Sequence, residues 1–205
     1  MTPKKGCAYA FGLVLLTCGA LATTVTLLRV WPVSRAPAVD TRALLIDASA
    51  FPLGWYACFD AERVPEREYG ERESLHVGFA HAGLEPYTVG ASHTVYRYRN
   101  ELDATILYTL EFSGRGFPKW NMITPWTVPE EWSYHSTAAD RFTFACGEFD
   151  FLGPKWTCKT VAQYDEYISV FRSELSPDYM TLEQLERVLV AIDDRMSLYL
   201  HQSVE

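Results

Sequence analysis

The chain lacks the signatures of the common catalytic classes. Its 205 residues contain no GxSxG, HExxH, GxGxxG or CxxC motif, and no phosphate-binding loop that ends in Gly-Lys-Ser/Thr. In many hydrolases, metalloproteases, dinucleotide enzymes and redox proteins these motifs position nucleophiles, metal ligands or phosphate-binding amides. Their absence argues against those classes, and the sequence implies no cofactor and no metal.

Charge is missing from residues 6–28, which contain no Asp, Glu, Lys, Arg or His. As a helix this run would extend about 34 Å, enough to cross a hydrocarbon core of about 30 Å. We therefore predict that residues 1–30 form a membrane anchor. Two alternatives remain open: a signal peptide cleaved after Ala22, which ends a small-x-small pattern, and lipid attachment at Cys18.

Basic residues lie on both sides of this run. Lys4 and Lys5 precede it, and Arg29, Arg35 and Arg42 follow it, so the positive-inside count is nearly tied. A short basic leader before an apolar run is typical of export signals, which favours the amino terminus inside. The expected protein spans the membrane once and holds its large domain outside the cytoplasm.

Basic residues are scarce in the exported part. Three of the 18 basic residues and none of the 26 acidic ones lie in residues 1–30, so the remainder carries a net charge of −11. Nucleic acids are bound by clusters of Lys and Arg, so we expect no nucleic-acid partner. The expected partners are the membrane, through residues 6–28, and a membrane protein complex.

Low-complexity tracts and internal repeats are also absent. Residues 31–40 contain two prolines and small side chains, which is typical of a spacer, and residues 41–205 are predicted to form a single extracytoplasmic domain. The high aromatic content of 14%, with six Trp and twelve Tyr, indicates a folded core.

Alternating apolar residues predict strands at 53–60, 75–79 and 93–99, with the last two joined as a hairpin by a long loop. Residues 141–149 and 156–171 are predicted as two more strands around a turn at 152–154. Residues 100–112 fit a helix capped by Asn100, although a strand fits there too, and we favour the helix.

The clearest predicted element is a helix over 181–200. Thr181 and Gln184 form a capping box at its start, and Met180 and Leu185 can close a hydrophobic staple. Its charged face is expected to be solvated; the residues on that face are Glu183, Glu186, Arg187, Asp193, Asp194 and Arg195. The predicted fold class is α+β: a mostly antiparallel sheet of about five strands, covered on one face by helices and preceded by one transmembrane helix.

Three stretches carry a resemblance. LLIDASAFPLGW, the strand that leads into AQYDEYISVF, and MTLEQLERVLVAIDDRM resemble uncharacterised exported or lipid-anchored bacterial proteins. More distantly, the Pro-x-Gly-Trp start and the α+β order are similar to the PsbP-like fold. The first resemblance carries no activity over to this chain, and the second implies an accessory protein of a membrane complex.

Three tryptophans stand six residues apart: Trp120, Trp126 and Trp132. In an extended chain an even spacing places all three rings on one side, where they could bind a sugar, a lipid headgroup or a proline-rich partner. The alternative is a long loop that covers the sheet with its own aromatic rings. A related alternative for function is a cell-envelope hydrolase that acts on glycan or lipid through this loop.

Cys146 and Cys158 flank the turn at 152–154 and would face each other in the predicted hairpin, at a non-hydrogen-bonded pair. In an oxidising compartment we expect a disulfide there, which leaves Cys58 as a buried thiol.

His81 and His93 could lie opposite each other in the preceding hairpin and begin a metal site, but surface histidines are the favoured interpretation. The predicted function is a membrane-tethered accessory or binding domain without evident catalysis.

Overall fold

A computed structural model describes residues 39–63, 71–84, 88–112, 117, 122–150 and 153–201. All of them belong to one compact unit, Ala36–Glu205. The predicted anchor, residues 6–28, and most of the predicted spacer lie outside the described residues. Within the described ranges, no helix is long and apolar enough to cross a membrane.

The described chain contains six strands and three α-helices. The strands are β1 (Trp55–Arg63), β2 (Glu73–His81), β3 (Ala91–Arg97), β4 (Arg141–Asp150), β5 (Pro154–Tyr164) and β6 (Tyr167–Leu175). The helices are α1 (Thr41–Leu44), α2 (Glu101–Leu107) and α3 (Leu182–His201). A 3-10 turn, Ala48–Ala50, follows α1, and a π-helical turn, Tyr108–Phe112, extends α2.

The six strands form one antiparallel sheet in the order β1-β2-β3-β6-β5-β4. Two three-stranded meanders lie side by side and join where β3 pairs with β6. The predicted α+β class and antiparallel pairing are confirmed. The sixth strand arises because the predicted strand at 156–171 reverses at Asp165, whose φ of 48° lies in the left-handed region that Asp tolerates in tight turns.

The helices pack on both faces of the sheet, so the expectation of cover on one face is wrong. On what we call the front face, α1 and α3 pack on the larger core, which includes Phe79, Phe171 and Leu189. On the back face, α2 packs on a smaller core that includes Tyr98 and Ile168. The middle strands carry apolar side chains at consecutive positions, so both faces need cover, as in any sheet buried on two sides.

Both longer helices begin as predicted. The Asn100 side chain accepts a hydrogen bond from the backbone N–H of Asp103 at 2.8 Å, and this cap confirms the helical reading of that segment. At the start of α3, the Thr181 N–H donates to Gln184 at 2.8 Å and the Gln184 N–H donates back to the Thr181 hydroxyl at 3.3 Å. The two reciprocal bonds are the predicted capping box.

The two edges of the sheet differ. Along β4, the backbone of Thr127 both donates to and accepts from Cys146, at 2.9 and 2.8 Å, and the Ile123 N–H donates to Glu148 at 2.8 Å. This outer segment occupies the edge that would otherwise pair with another chain. On the opposite edge, β1 has exposed side chains, and its register with β2 shifts twice, between Ala57 and Phe59 and between Phe59 and Glu62. Irregular, charged edges of this kind resist edge-to-edge pairing.

Candidate functional site

Trp126 and Trp132 lie on opposite faces of the sheet. Trp126 packs on the back face, with ring centroids 5.0 Å from Phe117 and 4.9 Å from Phe149. Trp132 stacks on Phe144 of the front face at 3.7 Å. Trp120 lies outside the described residues. Trp126 and Trp132 therefore do not form the predicted one-sided row, and a binding role for the three tryptophans stays a prediction.

The chain between the two tryptophans bends around the edge of β4. It runs along the strand only as far as the Thr127 bridge to Cys146, and then the Trp132 N–H closes a turn on the Pro129 carbonyl at 3.1 Å. Even spacing places side chains on one side only while the chain stays extended. Here the turn carries the second ring to the other face, where it covers the core.

The predicted cysteine pair is confirmed. The sulfur atoms of Cys146 and Cys158 lie 1.98 Å apart, at bonding distance, and the two residues are direct partners on β4 and β5. Both backbone groups of Cys146 bond outward to Thr127, so its position opposite Cys158 is a non-hydrogen-bonded one, as predicted. Both side chains are buried, and the bridge belongs to the front core.

Cys58 was expected to be buried, and that expectation is wrong, because the residue is exposed on β1. The alternation of apolar residues in this strand predicted an ordinary two-sided strand. The bulge between Ala57 and Phe59 breaks that alternation and leaves the thiol at the surface.

His93 is a structural residue of the front core. The ring is fully buried; its Nδ1 accepts a hydrogen bond from the Ile46 N–H at 3.3 Å, and its Nε2 lies 2.9 Å from the Ser169 hydroxyl oxygen. Because Nδ1 accepts, the neutral ring carries its proton on Nε2 and donates it to Ser169. A histidine that donates to a serine cannot take that serine's proton, so the pair is not a nucleophile and its base.

Burial holds His93 in this neutral form. Desolvation, with smaller effects of the charges of Arg195 and His76, lowers the pKa of His93 to about 3. The register places His93 opposite Val77, so the suggested pairing with His81 is wrong. His81 instead stacks with Tyr179 at the end of the sheet, with ring centroids 5.6 Å apart. Among the described residues, no three His, Cys, Asp or Glu side chains group as metal ligands.

Asp193 was expected on the solvated face of α3, and that expectation is wrong. Its side chain is buried and accepts hydrogen bonds from two tyrosines: Tyr134 at 2.5 Å and Tyr164 at the other carboxylate oxygen. Burial, together with the adjacent carboxylate, raises the pKa of both phenols above their ordinary value. The three side chains tie the segment that wraps around β4 to α3.

A small cavity lies beside this network. It is bounded in part by Tyr164, Asp165, Met196 and Leu200 and has a volume of about 20 Å³. Such a volume holds about one water molecule, which is too little for a substrate. Within the described residues, the Asp193 network joins Tyr134 and Tyr164 to α3.

The back face is covered only in part. The helix α2 packs over β5 and β6, where the Gln163 side chain donates to the Thr105 hydroxyl at 2.9 Å. Farther along the face, β2, β3 and β6 carry side chains that are exposed or half-buried. We call this group the open patch; its members are His76, Ser92, Tyr96, Val170 and Arg172.

Arg172 is the exposed cation of the open patch. The register places it directly opposite Lys159 on one side and Ser92 on the other. Its side chain makes no hydrogen bond or ion pair with any residue that the structure describes. Two other basic side chains of the sheet have buried carboxylate partners: Arg97 bonds to Glu166, and Lys155 bonds to Glu174.

Lys159 forms one border of the patch. Its ammonium group lies 5.5 Å from the ring centroid of Phe117, a cation–π contact. Burial and, to a smaller degree, the charge of Arg172 lower the pKa of Lys159 to about 8. The opposite border is aromatic, because Phe59 stacks on His76 with centroids 5.5 Å apart.

The sequence contains one signal for the pairing of Lys159 with Arg172, and our prediction missed it. Asp165 and Glu166 are the two residues of the β5–β6 turn, and a hairpin centred on them places Lys159 opposite Arg172. Reading 156–171 as a single strand hid that symmetry. No protein-family model matches the chain, and no curated protein matches it either.

Proposed function

We propose that the chain is a membrane-tethered extracytoplasmic binding domain, an accessory protein without catalysis, and that it attaches to a partner through the open patch. One observation carries the proposal: the exposed Arg172 lies on β6, an interior strand of the sheet, with no partner among the described residues. Elsewhere, α1 and α3 cover the front face, α2 covers part of the back face, and the segment around β4 covers one edge. A charged group that a strand of the sheet holds at an exposed position is suited to recognition.

The reactive side chains that the structure describes support a role without catalysis. His93 is buried and donates to Ser169, and Asp193 is closed in by two tyrosines. A general acid or base must reach the proton of a substrate. The His93 ring is fully buried, and the described cavity beside Tyr164 holds about one water molecule.

The tether follows from the charge-free run at 6–28, and the disulfide supports export, because such bonds persist in oxidising compartments. The alternative, a hydrolase that uses the Trp-rich loop, has less support. In the described part of that loop, Trp126 and Trp132 pack against phenylalanines of the two cores.

Affinity purification of the tagged full chain from detergent-solubilised native membranes tests this proposal. Wild type is compared with R172E and with R187E, a matched control on the exposed side of α3. We expect a stoichiometric partner with wild type and R187E and a strongly reduced yield with R172E. Recovery of no partner by any of the three proteins, or equal recovery by all of them, would contradict it.

A further inference from the structure

We propose that α2 pairs with the same helix of a second copy of this chain, antiparallel to it and around a two-fold axis. The surface shares no residue with the open patch, so the pair goes beyond the proposed function. Three observations support it: an exposed row of apolar side chains on α2, the charges beside that row, and the fit of both to two-fold symmetry.

The outward side of α2 and of the π-helical turn that extends it is apolar. Leu102, Ile106 and Leu110 are exposed by 49%, 43% and 58%. Residues four positions apart lie on one face of a helix, so these side chains form a continuous row, which we call the apolar row. The inward side packs on the back face through the buried Ala104 and Tyr108. The segment is therefore apolar on two sides, whereas a surface helix normally has one apolar face.

Opposite charges lie at the two ends of one flank of the apolar row. Glu101, at the start of α2, is exposed. Thr109 lies eight positions farther along, so the helical repeat places it on the same flank. There the exposed Arg141 donates from its guanidinium group to the Thr109 hydroxyl at 3.3 Å. The flank thus has a carboxylate at its first turn and a guanidinium group at its last turn.

A two-fold axis makes these features complementary. Such an axis brings residue i of one copy to residue j of the other, and residue j to residue i. With the axis at Ile106, that residue meets its own copy, and Leu102 of each chain meets Leu110 of the other. Identical flanks also face each other, so Glu101 of each chain approaches Arg141 of the other. Each helix start then lies near the other helix end, which the helix dipoles favour.

The charges of α2 favour a second copy over a lipid surface. Helices that lie on membranes combine an apolar face with a polar face rich in Lys and Arg. The sequence of α2, ELDATIL, contains Glu101 and Asp103 and no basic residue. The cation that complements this acidic start is Arg141, which a second copy of the chain supplies.

The pair should be weak and reversible. Three partly exposed apolar side chains and one charge pair from each copy bury less than the roughly 1,200 Å² at which stable interfaces begin. A covalent trap is the suitable measurement, because it accumulates a pair that forms only transiently.

Disulfide trapping of the full chain in native membranes tests the pair. The background is C58S, which removes the exposed thiol of β1, and this background without an added cysteine gives the baseline. I106C should give a covalent dimer on mild oxidation. V190C, at a position of α3 that is 41% exposed, should stay at the baseline. L102C should crosslink to a co-expressed L110C chain but not to itself, because the two copies of position 102 lie about 12 Å apart along the helices.

A charge exchange tests the complementarity. In the I106C chain, R141E and E101R should each lower the yield of dimer about tenfold, because the two-fold axis repeats every lost pair. The double exchange E101R/R141E restores opposite charges at both contacts and should restore the yield. A change that only unfolded α2 would not be rescued by the second exchange, so the rescue separates pairing from folding. R187E, on the exposed side of α3, is the matched control and should leave the yield unchanged.

Equal dimer yields from I106C and V190C would overturn the pair, because they would indicate random collision. Self-crosslinking of L102C as strong as its crosslinking to L110C would overturn the antiparallel arrangement, and so would a double exchange that fails to restore the yield. R172E, which should release the partner of the open patch, should leave the I106C dimer unchanged. The pair and the proposed function can therefore fail separately.

Discussion

Lys159 and Arg172 stand directly opposite each other on β5 and β6, on the back face of the sheet. Lys159 is half-buried beside Phe117, and its charged form is disfavoured there. A sequence selected for stability alone would place an apolar residue at such a position. The position of Lys159 is therefore expected to lower the stability of the fold.

We predict that K159M stabilises the fold. Replacing a desolvated ammonium with an apolar side chain of similar length should raise the free energy of unfolding by about 1–3 kcal/mol at pH 7. The folded pKa of about 8 lies below the ordinary value of 10.5, so the unfolded chain binds more protons between those values and wild-type stability rises with pH there. The advantage of K159M should therefore shrink from about pH 8 towards pH 10.5. Chemical denaturation followed by Trp fluorescence measures it.

The control for this variant is K155M. It removes the cation that pairs with the buried Glu174, so it should destabilise the protein. If K159M destabilises the protein as K155M does, the claim that Lys159 is held at a cost to stability is wrong.

His93 should make the fold sensitive to acid. Its folded pKa is about 3, below the ordinary 6.5, so only the unfolded chain takes up a proton between those values. The free energy of unfolding should then fall by up to about 1.4 kcal/mol per pH unit as pH drops from about 6.5 towards 3. H93Q should weaken the protein but flatten this part of its pH profile, and H135Q, at an exposed position, should leave the profile as in wild type. A profile that H93Q leaves unchanged would disprove the role of His93.

Asp193 should be the most important carboxylate of α3 for stability. D193A removes the acceptor of two buried tyrosine hydroxyls, each left without a charged partner, and should cost about 2–4 kcal/mol. D194A, the neighbouring acid at an exposed position, should change the free energy of unfolding by less than about 0.5 kcal/mol. Urea denaturation of both variants makes the comparison, and equal effects would contradict the structure.

The features that sequence could predict are those set by neighbouring residues. The capping box at Thr181 needs only Gln184, three positions on, and the disulfide follows from the symmetry of one hairpin. Periodicity gave the class of the fold and five of its strands. These patterns involve residues that are close in the sequence, so they do not depend on how distant segments pack.

The features that the sequence could not predict depend on which distant segment covers which surface. Asp193 lies on the side of α3 that periodicity marks as solvated. It is buried because Tyr134, from a distant segment, packs against it. Trp126 and Trp132 share a spacing, yet a turn at Pro129 separates them. The open patch is defined by the limited reach of α2, which no pattern in the strands reveals.

The disulfide should be visible by thiol counting. The chain has five cysteines, and two are paired, so unreduced, denatured full-length protein should label at Cys7, Cys18 and Cys58 only, and at two more thiols after reduction. Cys58 should also react in the native state, because it is exposed. The double variant C146A/C158A should lose about 2–3 kcal/mol of stability. No gain of thiols on reduction would refute the bridge.

The two tryptophans should act independently. Trp126 packs against Phe149 on the back face and Trp132 stacks on Phe144 on the front face, so the destabilisation of W126A and that of W132A should add within about 0.5 kcal/mol in the double variant. A platform in which the rings touched would instead give a coupling of about 1 kcal/mol or more. Urea denaturation of wild type, the two single variants and the double variant gives the four free energies of unfolding that a double-mutant cycle needs.

Site-specific photo-crosslinking in native membranes tests the central claim most directly. A photoreactive amino acid is placed in the open patch at Ser92, beside Arg172, and, as a control, at the exposed Glu183 of α3. The account predicts a discrete adduct with one protein from position 92, lost when R172E is added, and none from position 183. Absence of an adduct from position 92, or the same adducts from both positions, would contradict the assignment of the open patch as the binding surface.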